Sequence, residues 1–294
     1  MTKIGFVGVG NMGSRMVERL IAAGHELSVC DANPATLAAY AARGIKASSV
    51  PADLARADIV ILMVADDTQL LDVVSGRDGI ATALDPASPP ILLIMSTGLP
   101  KTMIAVRDAV AALGARVIEA PVSGGVGGAE RGTLAIMMGG DAEAIEDVMP
   151  IVRCLGQNIF RCGDFGSAQT VKLINNMIGL TNNYVVAEVF ELAVKAGVDL
   201  NALAPVLEAS TGRNYATQDV SVACFQYANW ASSPEAFEAL SRIVQKDMRL
   251  AKTLIDDVGV AAPVMKAVAG LLGDNSESVY KRWRDLGALH HSQG

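Results

Sequence analysis

The segment KIGFVGVGNMGSRM, residues 3 to 16, constrains this chain more than any other stretch. A short apolar run ends in Gly8, Gly10 and Gly13, spaced G-x-G-x-x-G, and a helical pattern opens at once. Glycines in that spacing are common in loops. Between a strand and a helix they meet the requirement of a dinucleotide-binding turn. The first permits the tight turn, the second admits a pyrophosphate against the backbone, and the third lets helix and strand close on each other. The helix N-terminus then faces the phosphates.

Asp31 closes the next apolar run, HELSVCD, where a carboxylate would accept hydrogen bonds from an adenine ribose. Ala32, Asn33 and Pro34 follow it, so no arginine stands ready for a 2′-phosphate, and NAD is expected over NADP. A structural turn with an unrelated loop aspartate is the competing reading.

The pattern that begins here continues. Apolar runs IVILMV, ILLIM, ARVIEA and LAIMMGG alternate with helical stretches to about residue 162, including helices from Pro34 and Pro100 and one around TQLLDVV. Strands alternating with helices predict βαβ units and a mostly parallel sheet. After Gly163 the strands stop, and helices are expected over 167–196, 199–210, 216–230, 234–258, 263–272 and 277–288. The fold class is therefore α/β, a doubly wound nucleotide-binding domain over 1–163 followed by an all-α domain over 164–294 that opens with one long helix. At 294 residues two such domains are affordable in core, and a composition half hydrophobic but only 4% aromatic suits them.

A net charge of −7 without a Lys/Arg cluster argues against nucleic acid. The chain enters a strand with no signal-peptide pattern, and no apolar run approaches the ~20 residues of a membrane span. Neither a membrane nor a nucleic-acid partner is expected, and a cytoplasmic setting is the default. The four cysteines show no zinc-ligand or CxxC spacing, and no metal is expected.

Dehydrogenase chemistry on an alcohol needs a proton acceptor at the oxygen. The three histidines, His25 at a helix-to-strand turn and His290 and His291 in the tail, are poorly placed, and none of the five tyrosines has a lysine four residues on. Lys172 is the remaining candidate. It is the only charged residue from Phe165 through Ala187, inside an otherwise apolar helical pattern, with Asn176 one turn along. Among apolar groups an ammonium loses solvation, which favours proton exchange near neutrality. A lysine whose stem lies on the surface and whose amine reaches water is the alternative. A second glycine cluster, EAPVSGGVGGAERGTL at 119–134, exposes backbone N–H groups suited to a carboxylate, with the Ser123 hydroxyl beside them.

Taken together these motifs resemble the β-hydroxyacid dehydrogenase family, typified by 3-hydroxyisobutyrate dehydrogenase and tartronate semialdehyde reductase, over essentially the whole chain. The resemblance implies a Rossmann domain, a long interdomain helix and homodimers or homotetramers. It implies cofactor contacts from Gly8, Gly10, Asn11, Met12, Gly13 and Asp31, from Val64 and Ala65 after the third apolar run, from Thr97 of STGLP, and from Lys246 of QKDMRLAK. Ser123, Gly124 and Gly125 would cradle the substrate carboxylate. In GDFGSAQTVKLINN, Lys172 would be the acid/base and Asn176 its partner on substrate. Met95, Glu119 and Ala168 depart from the family pattern, where Asp, Asp and Gly are usual.

The expected reaction is reversible hydride transfer between NAD and a small anionic 3-hydroxy acid, giving a semialdehyde or keto acid. Arg213, in the helix-breaking TGRNY, would meet a second anionic group if it faces the substrate, and is otherwise a solvated surface residue. Aldehyde-acid or imine reduction and a non-catalytic NAD sensor are the rival readings.

Overall fold

A computed structural model describes residues 2–272 and 276–291, the side chains of His290 and His291 excepted. Chain packing divides it into two compact units, Met1–Lys172 and Leu173–Gly294.

The first unit is built on nine strands: β1 (Lys3–Val7), β2 (Glu26–Cys30), β3 (Lys46–Ser48), β4 (Ile59–Leu62), β5 (Ile91–Ile94), β6 (Arg116–Glu119), β7 (Val122–Ser123), β8 (Leu134–Gly139) and β9 (Gly156–Gly163). They form one sheet in the order β3-β2-β1-β4-β5-β6-β8-β7, with β9 also paired to β8. The path from β3 to β6 is parallel throughout, β8 runs antiparallel to β6, and β9 lies parallel to β8. This is the doubly wound, mostly parallel arrangement the alternating pattern predicts.

Period-two alternation sorts the buried strands into two layers. Ile59, Ile61, Ile91 and Leu93 belong to one core, whereas Val60, Leu62, Leu92 and Ile94 belong to the other on the opposite face. Continuous apolar runs are what a strand covered on both faces requires. Helices α1 (Asn11–Ala22), α2 (Pro34–Ala41), α3 (Asp67–Ser75), α4 (Pro100–Ala111), α5 (Gly125–Arg131) and α6 (Ala142–Leu155) cover the sheet. Helix α1 buries Gly13, Met16, Val17 and Leu20, the i, i+3, i+4, i+7 stripe of a helix laid on a surface. Helix α2 is capped as expected, with the Asn33 side chain accepting from the Ala35 N–H and Pro34 in its first turn.

Helix α7 (Ser167–Lys195) follows, and the division between units falls inside it. The second unit is helical: α8 (Leu200–Glu208), α9 (Val220–Trp230), α10 (Pro234–Asp257), α11 (Pro263–Leu271) and α12 (Glu277–His291). Its core gathers around Trp283, whose ring lies 4.9 Å from that of Tyr184, 5.6 Å from Tyr227 and 5.6 Å from Phe237. Helices α9 and α12 approach closely because Gly287 has no side chain; a Cβ there would stand 2.6 Å from Ala228 Cα. Among the described residues no helix is long and apolar enough to cross a membrane.

Candidate active site

The first glycine turn is shaped by backbone crowding. Gly8 has φ +90°, and a Cβ on it would stand 2.2 Å from the Met63 carbonyl oxygen. A Cβ on Gly13 would lie 2.0 Å from the Gly8 carbonyl oxygen. Gly10 is the opposite case, since nothing lies within 4 Å of where its Cβ would be. The crowded glycines therefore make the turn, and the open one leaves room for a ligand against the backbone.

Gly10 is also the N-cap of α1 and offers no side chain to the helix's first N–H groups, which leaves them for an anion. Asn11 is exposed and Met12 packs partly on the core. Asp31 ties the turn to β2: Oδ2 accepts the Val9 N–H at 2.8 Å and Oδ1 the Asn33 N–H at 2.8 Å. The open glycine, the uncapped helix and the carboxylate at the strand end fit a dinucleotide.

The loops after β4 and β5 are bound to one another. The Val64 N–H donates to Ser96 Oγ at 2.8 Å, and the Ala65 N–H donates to Gln69 Oε1 at 3.1 Å. Both amides are thereby engaged within the protein, so Val64 and Ala65 keep their side chains and carbonyls for other contacts. Thr97 lies between the buried Ser96 and Gly98. A Cβ on Gly98 would stand 2.1 Å from Asp67 Oδ1, so a side chain there would displace that carboxylate. Asp67 Oδ2 in turn accepts from the Thr102 hydroxyl at 2.8 Å and the Leu99 N–H at 3.2 Å.

The second glycine cluster is more ordered than an open concavity. Val122 and Ser123 pair with β8, and α5 starts two residues later. Gly124 (φ +128°) and Gly125 (φ +62°) take conformations that favour glycine, and both are exposed. The first N–H groups of α5 have no intrahelical acceptor.

Lys172 lies one turn into α7 and is buried, with 6% of its surface exposed. The turn before it is held by Gln169, also wholly buried: Nε2 donates to the Ser96 carbonyl at 2.8 Å and Oε1 accepts the Gly98 N–H at 3.1 Å. Glu119, at the end of β6, accepts the Gly166 N–H on Oε2 at 2.7 Å. Burial pushes its carboxyl up to about 7, against the pull of the Gly166 and Ala168 N–H groups. Neither Gln169 nor Glu119 was assigned a role by sequence pattern. The available signals were a glutamine inside an apolar helical run and a glutamate ending a buried strand.

In the helical unit α10 brings its Lys-Asp pair to α7. Asn176 Nδ2 donates to Asp247 Oδ2 at 2.7 Å, and Lys246 Nζ lies 3.2 Å from Asp247 Oδ1. Asp247 is buried and links the two predicted residues; its adjacency to Lys246 was the only sequence signal for it. Arg213 pairs with Glu208 at 3.2 Å, its side chain 66% exposed.

Among the described residues, no group of three His, Cys, Asp or Glu side chains is arranged to hold a metal ion. His25 Nε2 lies 4.0 Å from Cys154 Sγ, and all four cysteines are free thiols.

Comparison with known proteins bears on the family and the fold. Residues 3–163 match the family model described as the NAD binding domain of 6-phosphogluconate dehydrogenase. Residues 166–289 match that described as NAD-binding of NADP-dependent 3-hydroxyisobutyrate dehydrogenase. A curated 3-hydroxyisobutyrate dehydrogenase from Pseudomonas aeruginosa is 34% identical over 273 residues, 90% of this chain and 89% of that protein. The mitochondrial enzyme of that name from Drosophila melanogaster is 38% identical over 216 residues, 73% of this chain and 65% of that protein. Among solved structures, Mycobacterium tuberculosis 3-hydroxyisobutyrate dehydrogenase with L-serine superposes with a TM-score of 0.79 at 28% identity, over 100% of this chain and 99% of that one.

Proposed function

The chain belongs to the β-hydroxyacid dehydrogenase family, and from that premise we propose that it oxidises a small 3-hydroxy acid to its semialdehyde with Lys172 as the proton acceptor. The burial of Lys172, one turn beyond a helix entry held by Gln169 and Glu119, is the observation that carries the reading. A lysine on a rigid helix, shielded from water, is held where a proton must leave.

Gly8, Gly10, Asn11, Met12, Gly13, Asp31, Val64, Ala65, Thr97 and Lys246 hold the cofactor in this reading. When bound, NAD supplies the hydride acceptor. NAD is preferred because the Asp31 carboxylate, fixed by Val9 and Asn33, repels a 2′-phosphate. The Ser123 hydroxyl and the amides of Gly124 and Gly125 hold the substrate carboxylate. Lys172 takes the hydroxyl proton as the carbinol C–H bond breaks, and its positive charge steadies the oxygen. Asn176, its amide set by Asp247, hydrogen-bonds the substrate. Arg213, exposed and paired with Glu208, is a solvated surface residue in this reading and would admit a second anionic group only by facing the substrate; comparing mono- and di-anionic hydroxy acids in Arg213→Ala tests that.

NADH formation by wild type and Lys172→Ala on a panel of small hydroxy acids tests the assignment. Turnover on at least one member, lost by a factor of about 100 or more in the variant with NAD affinity kept, is expected. Comparable turnover in Lys172→Ala would refute the lysine role. NAD binding without turnover across the panel would favour a sensor.

A further inference from the structure

Glu119 takes no chemical step in the mechanism above, yet it is wholly buried and faces the entry to α7. Its Oε2 accepts the N–H of Gly166, a residue with φ +100° at the joint between β9 and α7. Across the sheet, Gly139 of β8 stands opposite Glu119 in register. A Cβ on Gly139 would lie 2.9 Å from Glu119 Oε2 and 3.1 Å from both Ala168 N and Ala168 Cβ. The absence of a side chain there lets carboxyl and helix entry close on one another. Glu119 Oε1 is buried and has no hydrogen-bond partner among the described residues. A proton placed on it would have no acceptor, whereas the ionised form binds amide N–H groups more tightly.

We propose that Glu119 is a positioning residue for Lys172: its carboxylate fixes the first turn of α7, and turnover follows the charge of this one group. The inference rests on the lysine reading above. Gln169 ties the same turn to the loop after β5, so Glu119 controls one of two anchors and modulates the lysine's placement.

The group is able to change charge in the working range, since burial holds its carboxyl near 7. Around it stand Ile94 of β5, Gly139 of β8, Gly166 and Ala168, all uncharged, and Cys162 of β9. Burial is the first cause pushing the Cys162 thiol up, with the Glu119 charge adding to it, so that thiol stays protonated while Glu119 titrates. Asp164, on the joint itself, is exposed.

The test follows kcat against pH in wild type, Glu119→Gln, Glu119→Asp and Lys172→Ala, with hydrogen exchange of the 166–172 amides, corrected for intrinsic rate, in each. In wild type, kcat should fall about tenfold as pH drops below 7, with KM nearly constant, and amide protection should fall with it. Glutamine accepts the Gly166 N–H at every pH, so its protection should be flat over the same range, and its kcat should keep only the shallower limb that Lys172 brings as proton acceptor. Aspartate should restore a limb at a lower kcat. A limb unchanged in Glu119→Gln overturns the proposal. Should that variant not fold, wild-type protection that ignores pH overturns it equally. Lys172→Ala should be inactive throughout with the wild-type exchange pattern. Turnover surviving in Lys172→Ala would refute the lysine reading instead and leave the exchange result standing.

Discussion

The two units are cohesive by different means. The sheet unit spreads its core over two aliphatic layers, Ile59, Ile61, Ile91 and Leu93 on one face and Val60, Leu62, Leu92 and Ile94 on the other. The helical unit concentrates its core in one aromatic knot, where Trp283 touches Tyr184, Tyr227, Trp230 and Phe237. Parallel strands need a repeating apolar face and get it here from many branched aliphatic residues. Where the helices of the second unit meet, a few large rings fill the space between them. Stability is therefore distributed in one unit and focused in the other.

That contrast has a direct test. Trp283→Ala should cost about 3–5 kcal/mol, and Ile94→Val in the sheet unit only about 0.5–1.5 kcal/mol, by denaturant midpoint. Equal losses would mean that the aromatic knot is no more focused than the sheet layers.

Buried polar groups sharpen the comparison. Ser96 and Gln169 in the sheet unit have their hydrogen bonds met by backbone groups. Glu119 is only half met, and it carries a pH dependence. Its carboxyl rises from 4.5 to about 7 on folding, so its contribution to stability is complete below 4.5 and is lost as pH rises through 7. The loss is on the order of 3 kcal/mol. Wild type should melt at higher temperature near pH 5 than near pH 8 relative to Glu119→Gln, whose melting lacks this slope. The slope runs opposite to the expected activity limb, a signature that a purely structural carboxyl would not produce.

What the sequence made legible follows the same division. Continuous apolar runs disclosed β1, β4 and β5, and Asn33-Pro34 disclosed the start of α2, because each rests on local pattern. Strand β3 is three residues at the sheet edge, β7 is two, and β9 (GQNIFRCG) is mostly exposed and mixes apolar with polar residues without alternation, so none carries a periodic signal. Helix α5 was hidden because glycine is a poor helix former. It forms where Gly128 and Ala129 are buried, with Leu134 within 3.2 Å of where a Gly128 Cβ would be. Among site residues, the glycines and Lys172 stand out by spacing and isolation. Gln169 and Asp247 do not, because their bonds join residues 73 and 71 positions apart, which no local pattern reports.

The finest test lies inside the aromatic knot. The Tyr227 hydroxyl donates to the Asn183 carbonyl at 2.8 Å, while the Tyr184 hydroxyl is buried with no hydrogen-bond partner among the described residues. Both rings pack on Trp283, so replacing either by phenylalanine keeps the apolar contact and removes only the oxygen. Tyr227→Phe leaves the Asn183 carbonyl without that donor and should cost about 1 kcal/mol. Tyr184→Phe removes an unmet buried group and should be neutral or stabilising. Thermal melts of the two variants under one buffer check the order. If Tyr184→Phe is the more destabilising, its hydroxyl is satisfied in solution, and the knot is held by polar contacts as well as by rings.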